Sequence, residues 1–161
     1  MKEWLQKIYD ANLADFGRLA DDQLMALTIY AEARGESRQG KIAVGSVILE
    51  RVDHRDWDGH NIKEVCLWPL QFSSFNTEDK EHHIKEDPNR KILKDMADNW
   101  NREISNNTML QECFWVSQSL IAGGIARYPK ALDYFNPKVC NPEWAKEKKL
   151  VAIVGNHQFY C

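Results

Sequence analysis

Residues 21–52 read DDQLMALTIYAEARGESRQGKIAVGSVILERV, and the period of this stretch decides the fold class. Leu24, Leu27, Thr28 and Ala31 recur at helical intervals, and Met25 and Ile29 widen the stripe. Asp21 and Asp22 stand at the helix start, and Gly35 is the expected stop, because glycine tolerates the left-handed conformation that ends many helices. A second helix is predicted from Ser37 or Gln39 to about Val52, with Ile42, Val44, Val47, Ile48 and Val52 on its face. Gly40 and Gly45 each cost on the order of 1 kcal/mol against Ala in a helix interior, so they predict another backbone packed closely there.

The flanking chain continues the helical theme. Leu5, Ile8, Tyr9, Leu13 and Phe16 predict a helix over Lys2–Phe16, ended by Gly17. Residues 53–60 are polar and turn-like, and a short helix is expected from Asn61 to Leu67, before Pro69. Asp87-Pro88 reads as an N-cap followed by proline at the first helical position, with Ile92, Leu93, Met96 and Trp100 continuing one face. Thr108 and Gln111 have capping-box spacing ahead of Cys113, Trp115, Val116 and Leu120, and Gly123-Gly124 stops that helix. Asn141-Pro142 opens one helical turn carrying Trp144. Leu150–Val154 is a strand, Gly155-Asn156 a turn, and His157–Cys161 the returning strand. Helices followed by a small β element predict a mainly helical α+β fold, with residues 1–161 forming one domain.

Composition narrows the function classes. The 161 residues are 43% hydrophobic and 28% charged, which suits a soluble globular domain. The formal charge of -3 leaves no basic excess to drive nucleic-acid binding. No apolar run is long enough to span a bilayer, so no membrane insertion is expected. Lys2, Glu3 and Lys7 stand where a signal peptide needs apolar residues, so synthesis in the cytoplasm without a signal peptide is expected. Cys66, Cys113, Cys140 and Cys161 match no zinc or redox spacing and read as reduced thiols, with disulfides the alternative. His82-His83, in the charged run from Glu78 to Asp87, point to different sides and suit one metal ion poorly. There is no HExxH, phosphate loop or nucleophile elbow, so no metal and no other cofactor is expected. A monomer is expected.

The chemistry-bearing residue in the opening stretch is Glu32. It follows Ile29 by three positions and Met25 by seven, which puts its carboxyl on the flank of the apolar stripe. Partial burial and the negative end of the helix dipole both disfavour its charged form. A raised carboxyl pKa is what a general acid at neutral pH requires. On spacing alone, a solvated glutamate beside Arg34 and Arg38 fits as well. Three further clusters mix aromatics with amides, hydroxyls or histidine: Trp68–Asn76, Tyr134–Pro137 and Gly155–Tyr160. Sugars are bound by such surfaces, although each cluster alone also fits ordinary core packing, and His157 alone fits a structural histidine.

Taken together and in order, TIYAEARGE (Thr28–Glu36), GKIAVGSVILERV (Gly40–Val52), QFSSFN (Gln71–Asn76), YFNP (Tyr134–Pro137) and GNHQFY (Gly155–Tyr160) resemble one family. It is the cell-wall hydrolase family typified by the catalytic domain of the spore cortex-lytic enzyme SleB, and the resemblance covers about residues 24–160. It implies a lysozyme-like fold that cleaves the β-1,4 bond between N-acetylmuramic acid and N-acetylglucosamine in peptidoglycan strands. It further implies a lytic transglycosylase leaving a 1,6-anhydro end, with Glu32 as catalytic acid/base. Glu36, Gln71, Phe72, Ser73, Tyr134, Asn136 and His157 are the expected substrate-binding residues. Two positions depart from the family pattern: Asp133 where members often carry His, and Ser74 where they often carry Cys. Asp133 as a second carboxylate would allow hydrolysis by a muramidase instead. A glycan-binding or virion module that has lost catalysis is a third reading, against which the retained Glu32 speaks. The compact architecture resembles a phage endolysin, which implies holin-type release to the cell wall.

Overall fold

The computed structural model describes residues 1–161. α1 spans Glu3–Phe16, α2 Asp21–Ala33 and α3 Arg38–His54. α3 is the central element. Every residue from Gly40 to Arg51 is buried, so the predicted stripe was too narrow. Two polar members of that run are held by hydrogen bonds. Lys41 Nζ donates to the Glu36 carbonyl at 2.8 Å and to Glu112 at 3.0 Å, and Ser46 Oγ donates to the Ile42 carbonyl at 2.8 Å. Ser37 caps the helix by accepting from Gly40 N. Gly45 is small for a different reason than expected. A Cβ there would stand 2.7 Å from Leu120 Cδ1 and 3.0 Å from Met25 Cε, so side chains rather than a backbone demand the glycine.

α4 (Ile62–Leu67) is capped by Asn61, and a 3₁₀ turn follows at Ser73–Phe75. α5 (Pro88–Asp98) starts at Asp87 as expected. It does not continue to Trp100, because Asn99 leaves helical geometry (φ -121°) and a separate α6 begins at Trp100–Asn106. Ile92 faces outward and is exposed. α7 (Thr108–Ile121) is capped by Asn107, whose side chain accepts from Leu110 N at 3.0 Å; the Gln111 amide bonds the Ile104 carbonyl, so no Thr108/Gln111 capping box forms. Gly35 is not left-handed either, since α2 ends through Arg34 in the right-handed region.

The β element is larger than predicted. β1 (Asp133–Phe135), β2 (Leu150–Val154) and β3 (His157–Tyr160) form an antiparallel sheet in the order β1-β3-β2. A 3₁₀ turn at Glu143–Lys146 carries Trp144 between β1 and β2. A core of 25 buried residues unites α2, α3, α4 and α7 with neighbouring helices. A smaller cluster joins Ala43 and Val47 of α3 to Ala131, Ala152, Val154 and Phe159 on the sheet side. Tyr134 packs against both clusters, on the seam between helices and sheet.

Candidate active site

The end of α2 brings Glu32 to that seam. Its Oε2 accepts a hydrogen bond of 2.9 Å from the Tyr134 hydroxyl on β1. Tyr134 pairs with Phe159 in the β1/β3 register, stacks on that ring at 5.5 Å and meets His157 edge-on at 5.2 Å. Burial pushes the Glu32 carboxyl above its usual range; Tyr134 and Arg51 oppose the rise, and Asp87 adds to it. Burial likewise pushes the Tyr134 phenol well above its ordinary value, so it stays a hydrogen-bond donor. Burial holds His157 below the usual imidazole range, against a weaker pull from Glu36.

A cleft of about 430 Å³ opens at Glu32. Gln71, Ser73, Tyr134, Asn136 and His157 line it together with Glu32, so five of the seven expected binding residues share its walls. The other two are elsewhere. Phe72 is buried in the core, with the Arg51 guanidinium 5.3 Å from its ring centroid. Glu36 accepts from the Asn156 amide at 2.9 Å and from Asn156 N at 3.4 Å, which fastens the β2–β3 turn to the loop after α2. Ser73 Oγ donates to Asp87 at 3.0 Å.

The remaining lining residues are Arg51, Phe135, Val139 and Cys140. Sequence reading passed over Arg51, although a cation in the middle of an apolar helix face was a usable signal. Val139 and Cys140 lie in a loop with no period to read. Arg51 and Arg55, one turn apart on α3 and just beyond it, both reach β1: Arg51 Nε donates to the Leu132 carbonyl at 2.8 Å and Arg55 Nη2 to the same oxygen at 2.9 Å.

Asp133 is engaged by cations. Its Oδ1 accepts from Arg55 at 2.7 Å and from Arg51 at 3.4 Å, and its Oδ2 accepts from Lys148. Burial alone would raise its pKa, but Lys148, Arg55 and Arg51 prevail and hold it below the usual carboxylate range. It does not line the Glu32 cleft, where Glu32 is the one carboxyl. Nowhere do three or more His, Cys, Asp or Glu side chains gather as a metal ligand set. Cys66 and Cys113 are buried, and burial pushes both thiols up to about 12. No helix is long and apolar enough to cross a membrane.

A helical body meets a small sheet at a cleft that holds one half-buried glutamate, in a mainly helical, lysozyme-like fold. Within that class the chain belongs to the cell wall hydrolase family, whose pattern matches residues 35–160. Glu32 stands three residues before the matched segment. The chain is 27% identical over 139 residues to the spore cortex-lytic enzyme of Halalkalibacterium halodurans, covering 86% of this chain and 34% of that one. It is 25% identical over 142 residues to the Bacillus subtilis spore cortex-lytic enzyme, covering 86% of this chain and 37% of the relative. The chain thus spans well under half the length of these curated relatives. The solved catalytic domain of the germination-specific lytic transglycosylase SleB from Bacillus anthracis superposes with a TM-score of 0.57 at 25% identity, over 88% of this chain and 93% of that domain. The catalytic domain of the Bacillus cereus SleB protein, at 24% identity and a TM-score of 0.56, has the same fold.

Proposed function

We propose that this domain degrades peptidoglycan as a lytic transglycosylase. It would cut the β-1,4 bond between N-acetylmuramic acid and N-acetylglucosamine, with Glu32 as sole acid and base. The observation that carries the reading is that the cleft contains one carboxyl, half-buried and raised, with a tyrosine hydroxyl fixing its orientation. In the first step Glu32 gives its proton to the bridging oxygen as the bond from the anomeric carbon breaks. The 6-hydroxyl of the same sugar then attacks the anomeric carbon, and its proton returns to the Glu32 carboxylate. The 1,6-anhydro ring closes without water, and the enzyme ends as it began. Two-carboxylate glycosidases need a second group to activate water or to attack. Asp133 suits neither task, since it lies outside the Glu32 cleft and is engaged by Arg51, Arg55 and Lys148, which hold it as a carboxylate.

Gln71, Ser73, Asn136 and His157 would hold the sugar through hydroxyl and acetamide contacts. The domain would act as a monomer on glycan strands and draw on no metal or nucleotide. The B. anthracis SleB domain, described as a lytic transglycosylase, supports the same reading. The test is mass analysis of muropeptides released from purified peptidoglycan. Anhydro ends are expected, one water lighter than reducing ends. Reducing ends alone would replace the mechanism with hydrolysis, and no soluble product would replace it with a glycan-binding module.

A further inference from the structure

The charged run from Glu78 to Asp87, which the proposed reaction leaves unused, returns the chain to the cleft wall. Asp79 and Ile84 pair antiparallel, with N–H to carbonyl distances of 2.9 and 2.8 Å, so the excursion closes on itself. The His82 ring stacks on Trp4 of α1 at 4.2 Å, and its Nδ1 lies 3.2 Å from the Asp79 carboxylate. Asp87 then arrives 14 positions after Ser73 and beside it: Ser73 Oγ donates to Asp87 Oδ2 at 3.0 Å.

Asp87 is held from behind. Its Oδ1 accepts from Asn89 N at 2.8 Å and from the Asn89 side chain at 2.9 Å, which caps α5. Three residues on, the buried Arg90 donates to Asn12 at 3.2 Å and to Asp15 at 2.6 Å. Asn12 in turn donates to the Leu67 carbonyl at 2.9 Å. The start of α5 is thus locked to α1 and to the end of α4, and the second Asp87 oxygen is turned to Ser73.

The polarity of this contact follows from elementary chemistry. A carboxylate offers acceptors only, and a serine hydroxyl has one proton and two lone pairs. The bond to Asp87 takes the Ser73 proton, so only lone pairs remain for the cleft. Ser73 is exposed and lines that cleft with Glu32, so a group docking on its oxygen must bring an N–H or O–H. A serine without such an anchor presents either polarity, because its hydroxyl rotates to suit. Asp87 has a second reach. Its charge adds to the rise of the Glu32 carboxyl, after the larger effect of burial. The other titratable or charged groups around Glu32 are Tyr134 on β1, Cys140 beyond it, His157 on β3 and Arg51 on α3. Of these, Tyr134 and Arg51 oppose the rise.

We propose that Asp87 is a positioning residue of the reaction, which fixes Ser73 Oγ as an acceptor for a hydroxyl or acetamide N–H of the glycan. The same charge helps to keep the Glu32 proton in place until it is transferred. Asp87 touches no reacting atom; it acts through Ser73 and through its field. The proposal rests on the reading of Glu32 as the glycan-cleaving acid.

Asp87→Asn tests it, with steady-state kinetics on a soluble, uncrosslinked glycan strand. Asparagine caps helices as well as aspartate does, so α5 is kept. Its amide oxygen can remain on Asn89 N, and its NH₂ group then donates to Ser73 Oγ and turns the serine proton toward the cleft. An acceptor becomes a donor with no change of shape. KM is expected to rise about fivefold, the size of one ordinary hydrogen bond. The thermal melt should be unchanged, and the alkaline limb of the kcat profile should move to lower pH. Ser73→Ala should raise KM by a similar factor and leave the limb in place. In that background Asp87→Asn should raise KM no further while still moving the limb, which is the coupling expected of residues that act as a pair. An unchanged KM and an unmoved limb in Asp87→Asn overturn the proposal. An equal rise in KM with and without Ser73→Ala overturns it as well, since Asp87 would then not act through Ser73. A lowered melting temperature with KM unchanged overturns it by reducing Asp87 to a helix cap. Glu32→Gln protein that still cleaves the strand overturns the underlying reading instead.

Discussion

Glu32→Gln is expected to abolish catalysis and to stabilise the protein. Burial is the main cause of the raised Glu32 pKa, opposed by Tyr134 and Arg51 and assisted by Asp87. A carboxyl raised in the folded state binds its proton more tightly there than in the unfolded chain. Its contribution to stability is whole below the unfolded value of about 4.3 and drains away as pH rises through the folded value. Above the unfolded value the wild-type domain therefore carries the cost of a desolvated charge or of taking up a proton to avoid it, and an isosteric neutral amide carries neither. Each kcal/mol recovered raises Tm by about 2–4 °C in a chain of this size. We expect the variant to melt a few degrees higher at pH 7, with the difference closing below about pH 4, where the wild-type carboxyl is itself protonated. Catalysis moves the other way. Proton transfer by a positioned side chain commonly supplies about 10²–10⁴-fold, and Glu32 serves both steps, so clearing of a peptidoglycan suspension should fall at least ~100-fold. Both readouts come from one protein preparation. A variant retaining a tenth or more of the wild-type rate would remove Glu32 as the acid. A Tm at pH 7 equal to or below that of the wild type would refute the desolvation account.

Tyr134→Phe deletes the hydroxyl that donates to Glu32 at 2.9 Å. A hydrogen bond to a charged group contributes about 1.5–3 kcal/mol, so the proton affinity of Glu32 should rise about tenfold or more. The alkaline limb of the pH–rate profile should move to higher pH, and an unmoved limb would separate Tyr134 from the acid. Asp133→Asn leaves Arg51, Arg55 and Lys148 without their shared anion. Because Asp133 is held below its ordinary range, its contribution is present above about pH 4 and lost as pH falls through the folded value. At pH 7 urea unfolding should show a loss of about 2–3 kcal/mol, less than the roughly 3–5 kcal/mol of a fully buried pair. Anhydro ends should still form, and a folded variant that cleaves nothing would restore Asp133 as a second catalytic carboxylate. Ser74→Ala removes a buried hydroxyl that has no partner. It should gain about 1 kcal/mol in a thermal melt; a loss of that size would mean that the hydroxyl is satisfied.

Periodicity located most of the helical body, although α2 and α3 bury runs of consecutive residues rather than one stripe, because the other elements pack around them. The misses have local causes. β1 is three residues long, too short for alternation to show, and its aromatics read equally well as a binding cluster. Ile92 and Trp115 sit on predicted apolar faces yet are exposed, since a helix packed on one side can carry an apolar residue on its far edge. Asn107 outcompeted Thr108 as a cap because its side chain reaches Leu110 N. Within the site, Gln71, Ser73, Tyr134, Asn136 and His157 were legible as polar-aromatic clusters without a period. Phe72, in the same cluster, alternates with them and turns into the core instead. The arginines were passed over: Arg51 stood out as a cation beside apolar helix residues, but its partner could not be read. Their role depends on β1 lying beside the end of α3, a tertiary contact that no local pattern encodes.

The two glutamates of EARGE divide the work by their position relative to the helix end. Glu32 belongs to the last turn of α2, so its side chain is aimed by helical geometry into the seam where Tyr134 waits. Glu36 lies beyond the break, and its carboxylate grips Asn156, 120 residues away in the chain. That grip needs Gly155. The turn requires φ +58°, and a Cβ at this position would stand 2.1 Å from Glu36 Oε2. The turn leads directly into His157, which lines the cleft, and two residues on to Phe159, the strand partner of Tyr134. One end of the cleft wall is therefore tied to the same loop that follows the proposed acid. The opening motif and the glycine-asparagine turn near the C-terminus are thus joined through Glu36 and Asn156, on the same side of the molecule as the Glu32–Tyr134 hydrogen bond.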